Sequence, residues 1–433
     1  MKRLIFSIIT LACTAMGASA QETLTLTLQQ CRDRALEFNE QMQTASNATQ
    51  QAKLDREIAF TNYLPKIEGT AMTGWMKDSE MMGMTMQMRG FYMAGLQLQQ
   101  PIYAGGRIKA GNDLTKIGRQ VSEQQQRKTR QEVIAEADQA YWGYISVLQK
   151  VEMLKSYQEY MKALADKVDI SVEAEMASRN EQLRVEAKAN EVDYNLQKAQ
   201  TGAELCRLVL CNAIGADFDT QIIPADRDVP ITAPEDMDEN IEQTPEMQMM
   251  QMGVKAKKKQ VNLTRGDFLP TLAAVAGYTW YGNIKMKGET EYNGQMVPFT
   301  QEMKSNTPML MLSLSVPIWK WGEGYKKVKK AKLDVENAQL DMARNQRLLT
   351  IQARQAILNV TNGYTQIETA QKGVDNATEN LRVMQERYDA DMSTLTDLLD
   401  AQSQWQQAQS NLIEAKTQYK LYQTEYLKAV GRL

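Results

Sequence analysis

Met309-Leu310-Met311-Leu312-Ser313-Leu314-Ser315-Val316 is the stretch on which the fold turns. Its even positions are aliphatic while Ser313 and Ser315 fall on the other side, the period-two pattern of a strand with one apolar and one polar face. Leu96 and Leu98, set between Gln97 and Gln99, repeat it. Two further segments, Lys66 to Trp75 and Thr271 to Tyr281, follow the pairs Leu64-Pro65 and Leu269-Pro270. They carry Trp75, Trp280 and Tyr281 near their far ends, where aromatic rings suit a membrane-interface girdle. Strands of roughly ten residues are long enough to cross a bilayer at a tilt. Four such strands cannot close. An open sheet in hydrocarbon leaves edge groups unsatisfied at several kcal/mol each, so several chains must pool their strands into one barrel. Periodicity alone does not choose between two, three or four chains, and a soluble antiparallel sheet is the competing reading.

Working outward, the strand signals occur twice because the chain is written twice. Tyr63-Leu64-Pro65 recurs as Phe268-Leu269-Pro270, Pro101-Ile102-Tyr103 as Pro317-Ile318-Trp319, and Ala213-Ile214-Gly215 as Ala429-Val430-Gly431. The second and third pairs share one offset, which also matches Leu183 to Leu399, Leu196 to Leu412 and Leu205 to Leu421. The expected organisation is a signal peptide over 1–20, a first repeat over 21–215, an irregular connector over 216–245 marked by Pro224, Pro230 and Pro234, and a second repeat over 246–433. Each repeat is read as helix, strand, polar loop, strand, very long helix and return helix.

From Arg107 to Val172 there is no proline, so about 66 residues at roughly 1.5 Å each predict a rod of about 100 Å. The return helix, Ser178 to Ala213, covers about half of it, and the helix from Leu28 to about Phe60 has the missing length. Leu398, Ala401, Trp405, Ala408, Leu412, Ala415, Tyr419, Tyr422, Tyr426 and Ala429 alternate spacings of three and four, a coiled-coil seam. Val185, Ala189, Val192, Leu196, Ala199, Ala203, Cys206, Leu210 and Ala213 form its counterpart, which makes Cys206 a core position.

Composition narrows the function. Met1-Lys2-Arg3, the apolar run to Ala15 and Ala18-Ser19-Ala20 form a secretory signal, with Cys13 as an alternative lipoprotein cysteine. No later run of about 18 apolar residues would make a transmembrane helix, and a mean hydropathy of -0.48 keeps most of the mass in water. A net charge of -3 argues against a nucleic-acid partner. Histidine is absent, which removes the commonest general base and transition-metal ligand. No phosphate loop or nucleophile elbow is present, so no catalysis, cofactor or metal centre is expected. Cys31, Cys206 and Cys211, odd in number and irregular in spacing, do not describe a disulfide framework.

Taken together, the two Leu-Pro signals, the strand exits 101–107 and 317–323, and the segment Thr396-Asp397-Leu398-Leu399-Asp400-Ala401-Gln402 resemble the TolC-like outer-membrane efflux family over essentially the whole mature chain. The resemblance implies a mainly α fold in which duplicated long helical hairpins form a trimeric α-helical tunnel. Four β-strands per protomer then contribute to a shared twelve-stranded transmembrane barrel. It implies an exit duct in the Gram-negative outer membrane, passively conducting substrates from a periplasmic adaptor and an inner-membrane pump, in drug efflux or in protein secretion. A periplasmic coiled-coil scaffold without channel activity is the alternative from another class.

Two similar turns lie at the periplasmic end of such a tube: Ala174-Glu175-Met176-Ala177-Ser178 and Ala390-Asp391-Met392-Ser393-Thr394. Ser178 with Glu181, and Thr394 with Asp397, make capping boxes for the return helices. Asp397 and Asp400 share a helix face, and three copies would set six carboxylates in a narrow, cation-favouring ring. By resemblance, Tyr388, Asp397 and Asp400 match positions that constrict the closed entrance, and Glu181 matches an acidic partner. Ala174, Glu175, Met176, Ala390, Asp391 and Met392 match adaptor-contacting tips. Ser393 stands where some members carry arginine, and Glu175 and Asp391 stand where the turn usually has glycine. Finally, the segment from Met72 to Met93 is so rich in methionine that it reads either as an adaptable, partly disordered exterior loop or as a soft-metal site.

Overall fold

A computed structural model describes residues 23–433 except 82, 235, 293, 294 and the side chain of Met81, and the signal segment with Cys13 lies outside the described residues. The elements in order are β1 (Thr23–Leu26), α1 (Leu28–Phe38), α2 (Glu40–Thr61), β2 (Lys66–Met81), β3 (Met84–Ala104), α3 (Arg107–Glu173), α4 (Arg179–Ile214), β4 (Gln221–Pro224), α5 (Pro245–Gly266), β5 (Thr271–Tyr292), β6 (Gln295–Ser315), α6 (Glu323–Asp389) and α7 (Leu395–Ala429). Both long helices have 67 residues. None of the described helices is long and apolar enough to cross a membrane. The chain divides into two compact units, one of Met1–Asn47, Gln124–Gln248 and Arg344–Leu433, the other of Ala48–Glu123 and Met249–Ala343.

In the first unit the seams pack as their spacing required. Val185, Val192, Leu196, Leu210 and Ala213 are buried, as are Leu398, Ala401, Leu412 and Tyr419, with Cys206 packed partly buried at the edge of the main core. That core joins α1, α3 and α4 to a two-stranded parallel ladder of β1 and β4, in which Leu24 pairs with Ile222. The connector is thus not wholly irregular; strands this short hold no readable period. The helix expected from Leu28 to Phe60 is two helices. Asn39 ends α1 through its backbone N–H to the Ala35 carbonyl at 3.0 Å, and its Oδ1 accepts the Gln41 N–H at 2.8 Å, so the backbone of one residue closes one helix and its side chain opens the next.

The second unit carries the four-stranded antiparallel sheet, in the order β2-β3-β5-β6. Its strands run 16 to 22 residues, about twice the expected length. The segment from Met72 to Met93 is therefore not a loop: its described residues lie in β2 and β3, which stay paired as far as Met81 and Met84. Register shifts hid this from the sequence. They fall at Gly74/Trp75, between Met76 and Ser79, between Gln87 and Tyr92, and between Tyr281 and Ile284. Each extra residue breaks the period-two pattern. Two of the bulges are tied together, because Asn283, at φ 59°, donates from Nδ2 to the carbonyls of Arg89 at 2.8 Å and of Gly90 at 2.9 Å. Gly90 takes φ 69°, a conformation open to glycine.

The bulges divide the sheet into two zones, best followed on β6, the strand that takes no extra residue at the 281/284 shift. On one face β6 presents Leu314, Leu312 and Leu310, then Asn306, Lys304 and Glu302; on the other it presents Ser315, Ser313, Met311, Met309, Thr307, Ser305 and Met303. The aliphatic zone is continued across the sheet by Leu96, Leu98 and Ile67. It ends in aromatics: Tyr278, Trp280, Tyr92 and Trp75 share that face, with the Tyr92 ring lying over Gly282, whose added Cβ would meet the hydroxyl at 2.5 Å. Tyr281, expected in the same girdle, points to the opposite face, pairing with Met93 and Ser305. Beyond the aromatics the face becomes charged, with Arg89 bonded to Asp78 at 2.8 Å and Lys285 opposite Glu302.

Candidate functional site

The two helical turns of the first unit, α3–α4 and α6–α7, have one construction. Each long helix ends with a bond that spans five residues, from the Met176 N–H to the Ser171 carbonyl at 2.8 Å and from the Met392 N–H to the Arg387 carbonyl at 2.7 Å. Such an ending requires a left-handed residue just past the helix. Glu175 at φ 59° and Asp391 at φ 58° supply it, so both positions hold the usual backbone without glycine, at a cost of about 1 kcal/mol each. Ala174, Glu175, Met176, Ala390, Asp391 and Met392 are all exposed, Met176 at 81% and Met392 at 67%.

Each return helix then starts on a capping box. Ser178 accepts the Glu181 N–H while Glu181 Oε2 accepts the Ser178 N–H at 2.8 Å; Thr394 and Asp397 reciprocate in the same way, at 3.1 Å for the carboxylate. The Asp397 carboxyl is held below its ordinary value, first by the Thr394 hydroxyl, then by the Thr394 backbone N–H, with Arg387 adding a smaller attraction. Asp397 and Asp400 are both exposed, on the side of α7 away from the buried Leu395 and Leu398.

Between the two hairpins lies an apolar seam of Tyr157, Met161, Leu164, Val168, Val185, Leu395 and Leu398. Tyr388 packs half-buried against it. Burial pushes the Tyr388 hydroxyl up, and the negative charge of Glu181 pushes it further, so the fold does bring these two predicted residues into electrostatic contact. The Lys167 ammonium opposes that shift; it lies 5.7 Å from the Tyr388 ring centre and 2.5 Å from the Asp389 carboxylate. Arg184 donates to the Thr396 hydroxyl at 2.5 Å, and the Tyr160 hydroxyl donates to Gln385. Sequence reasoning missed Lys167, Arg184, Gln385, Asp389 and Thr396. Their partners lie 212 to 225 positions away, and a polar side chain on a helix surface carries no local mark of such a pairing.

The tips thus form a paired end, with an apolar seam inside, capped helix starts and ion pairs outside. A family model described as outer membrane efflux protein matches residues 31–214 and 237–432. The chain belongs to the outer membrane efflux protein family. Its relatives include the alkaline protease secretion protein AprF of Pseudomonas aeruginosa, 21% identical over 341 residues that make up 76% of this chain and 67% of AprF. The outer membrane protein TolC of Escherichia coli is 25% identical over 182 residues, 41% of this chain and 35% of TolC. Among solved structures, the CmeC outer membrane channel of Campylobacter jejuni superposes with a TM-score of 0.79 at 21% identity, over 94% of this chain and 86% of CmeC. This efflux protein has the TolC-like fold, long helical hairpins with strands that contribute to a β-barrel, and it is an outer-membrane exit channel. Members of the family are channels rather than enzymes; they form trimers and work with adaptor and inner-membrane pump components.

Proposed function

We propose that this efflux protein is a homotrimer whose hairpin tips gate the periplasmic entrance, with Glu181, Tyr388, Asp397 and Asp400 at the constriction. The exposed residues Ala174, Glu175, Met176, Ala390, Asp391 and Met392 receive the periplasmic adaptor, which recruits the inner-membrane pump. The observation that carries the assembly is the open sheet. Among the described residues no strand pairs with the outer side of β2 or of β6, while Leu310, Leu312 and Leu314 are 81%, 72% and 65% exposed. In outer-membrane lipid that aliphatic face is solvated by acyl chains, and the two edges must find each other in neighbouring copies. The same face weighs against a soluble periplasmic scaffold. On this reading the chain is two copies, 21–215 and 246–433, joined by the connector 216–245.

The gate assignment is supported by the exposure of both aspartates on one side of α7. Repeated around a three-fold axis, they concentrate negative charge at the entrance and favour cations. The test is planar-bilayer conductance with lanthanum as a trivalent blocker. Asp397→Ala with Asp400→Ala should weaken block by roughly tenfold or more; unchanged block removes these residues from the pore lining. Two cargo readings remain in play. Small toxic compounds are the first, and the match to AprF, whose name assigns protease secretion to that protein, supports secreted protein as the second.

A further inference from the structure

The methionines of the sheet are not spread over its two faces. Leu96, Leu98, Leu310, Leu312 and Leu314 lie on the aliphatic face, whereas Met72, Met93, Met309 and Met311 lie on the other. Beyond the bulges the second face becomes denser in thioethers still. Met86 stands opposite Met286 on β5, Met88 is two residues along the same strand and opposite Met76 on β2, and Met84 lies over Gly288. Met303 stands opposite Ile284, two residues from Met286. Only at its outer tip does the sheet turn a methionine, Met296, the other way, among the strand methionines with described side chains.

An apolar lining alone does not account for this division. Leucine covers apolar area as well as methionine does and specifies packing better, and leucine is the main aliphatic residue of the opposite face. What methionine adds is a polarizable sulfur on a long, unbranched stem. Residues directly opposite in an antiparallel pair have Cβ atoms about 5 Å apart, and neighbours two along a strand are separated by roughly 7 Å. Met76, Met88, Met86 and Met286 therefore form two opposed pairs one step apart, within reach of a common ion. The carboxylates of this zone, Asp78, Glu80, Glu289, Glu291 and Glu302, are on the opposite face, with Asp78 paired to Arg89 and Glu302 facing Lys285. Ser79, opposite Met86, and Gln301, opposite Met286, set neutral oxygens beside the thioethers; thioethers with no carboxylate among them select Cu(I) and Ag(I) over Zn(II), Mg(II) or Ca(II).

We propose that Met76, Met86, Met88 and Met286, with Met84 and Met303 beside them, form a binding surface for a soft monovalent cation, Cu(I) or Ag(I), on the inward face of the sheet beyond the membrane zone. The inward placement rests on the reading of the sheet as part of a barrel wall; the coordination itself rests on the strand registers. Three copies would ring the mouth with such sites.

The probe is Ag(I), which binds without changing oxidation state, added to the full-length protein in detergent and chloride-free buffer. Equilibrium dialysis of wild type against Met86→Leu/Met88→Leu/Met286→Leu should show affinity for Ag(I) falling by about tenfold or more. Cys31, Cys206 and Cys211 are common to both proteins and cancel in the difference. Met309→Leu/Met311→Leu, on the same face but in the membrane zone, should bind as wild type does. Methyl-13C methionine spectra of the unmutated protein give a second readout: Ag(I) should shift the Met86, Met88 and Met286 methyls and leave the buried Met161 in place. Equal affinity in wild type and triple variant, or methyl shifts confined to other methionines, overturns the proposal. Bilayer conductance on the same preparations separates the two readings, since a channel that conducts without binding Ag(I) rejects the thioether site and keeps the duct.

Discussion

The region around Tyr141 and the region around Leu398 belong to the same unit and are packed on the same kind of helical seam, yet their polar links are placed oppositely. Around Tyr141 they are inside. Arg32 grips the fully buried Asp138 with two bonds of 2.6 Å, Thr424 donates to the same carboxylate at 2.6 Å, and Tyr141 donates to Asp226 at 2.8 Å. Burial there pushes the Cys31 thiol up to about 12, which keeps it protonated and inert. Around Leu398 the charged links and the caps are outside: Lys167 and Asp389 are 53% and 46% exposed, and both capping boxes face solvent. Buried pairs are scarcely screened, while exposed ones are worth little and weaken with salt. The first region is thus a fixed frame and the second an adjustable end held by an apolar seam and weak latches, a division suited to an entrance that opens.

The strongest way to break this comparison is Arg32→Ala, which strips the buried Asp138 of its guanidinium partner and should cost about 3–5 kcal/mol of stability. Denaturant unfolding followed by circular dichroism checks it; a loss no larger than that of an exposed pair would put the two regions on one footing. Ser178→Ala or Thr394→Ala should each cost about 1 kcal/mol. The loss should appear locally, as faster hydrogen exchange in the first turn of α4 or α7, with the amides near Tyr141 unchanged.

The smallest effect sharpens the comparison most. Lys167→Ala should cost at most about 1 kcal/mol at low ionic strength, and the difference from wild type should vanish near 1 M salt. Acid should act in the same place. The Asp389 carboxyl is held down chiefly by its bond from Lys167 and that of Asp397 by Thr394, so both contribute fully above the ordinary aspartate value of 3.8 and lose that contribution as pH falls below it. Protection factors at the tips, corrected for intrinsic exchange, should drop there in wild type and drop less in the Lys167→Ala variant.

The candidate site was legible to the extent that it is local. The boxes at Ser178 and Thr394 could be read because a cap and its third residue are near neighbours in sequence, and the seam through Leu398 because its spacing repeats. The Lys167–Asp389 and Arg184–Thr396 links could not, since each joins helices from different repeats and neither side chain differs from any other on a solvated helix surface. Asn39 shows the middle case: an asparagine inside a helical pattern is tolerated or breaks the helix depending on whether its two bonds are made.

Periodicity and duplication determined from sequence alone that this protein has two sets of long hairpins and alternating strands with an aliphatic side, because helix and strand periods are written residue by residue. Tertiary structure alone decided how far those strands extend, where bulges at Gly90 and Asn283 shift the pattern, and hence that Met72, Met76, Met84, Met86, Met88 and Met93 share a face with Met286 and Met303. The physical reason is that one inserted residue reverses every later side chain on a strand, and whether an insertion is absorbed as a bulge depends on bonds from the neighbouring strand, such as those Asn283 makes to Arg89 and Gly90.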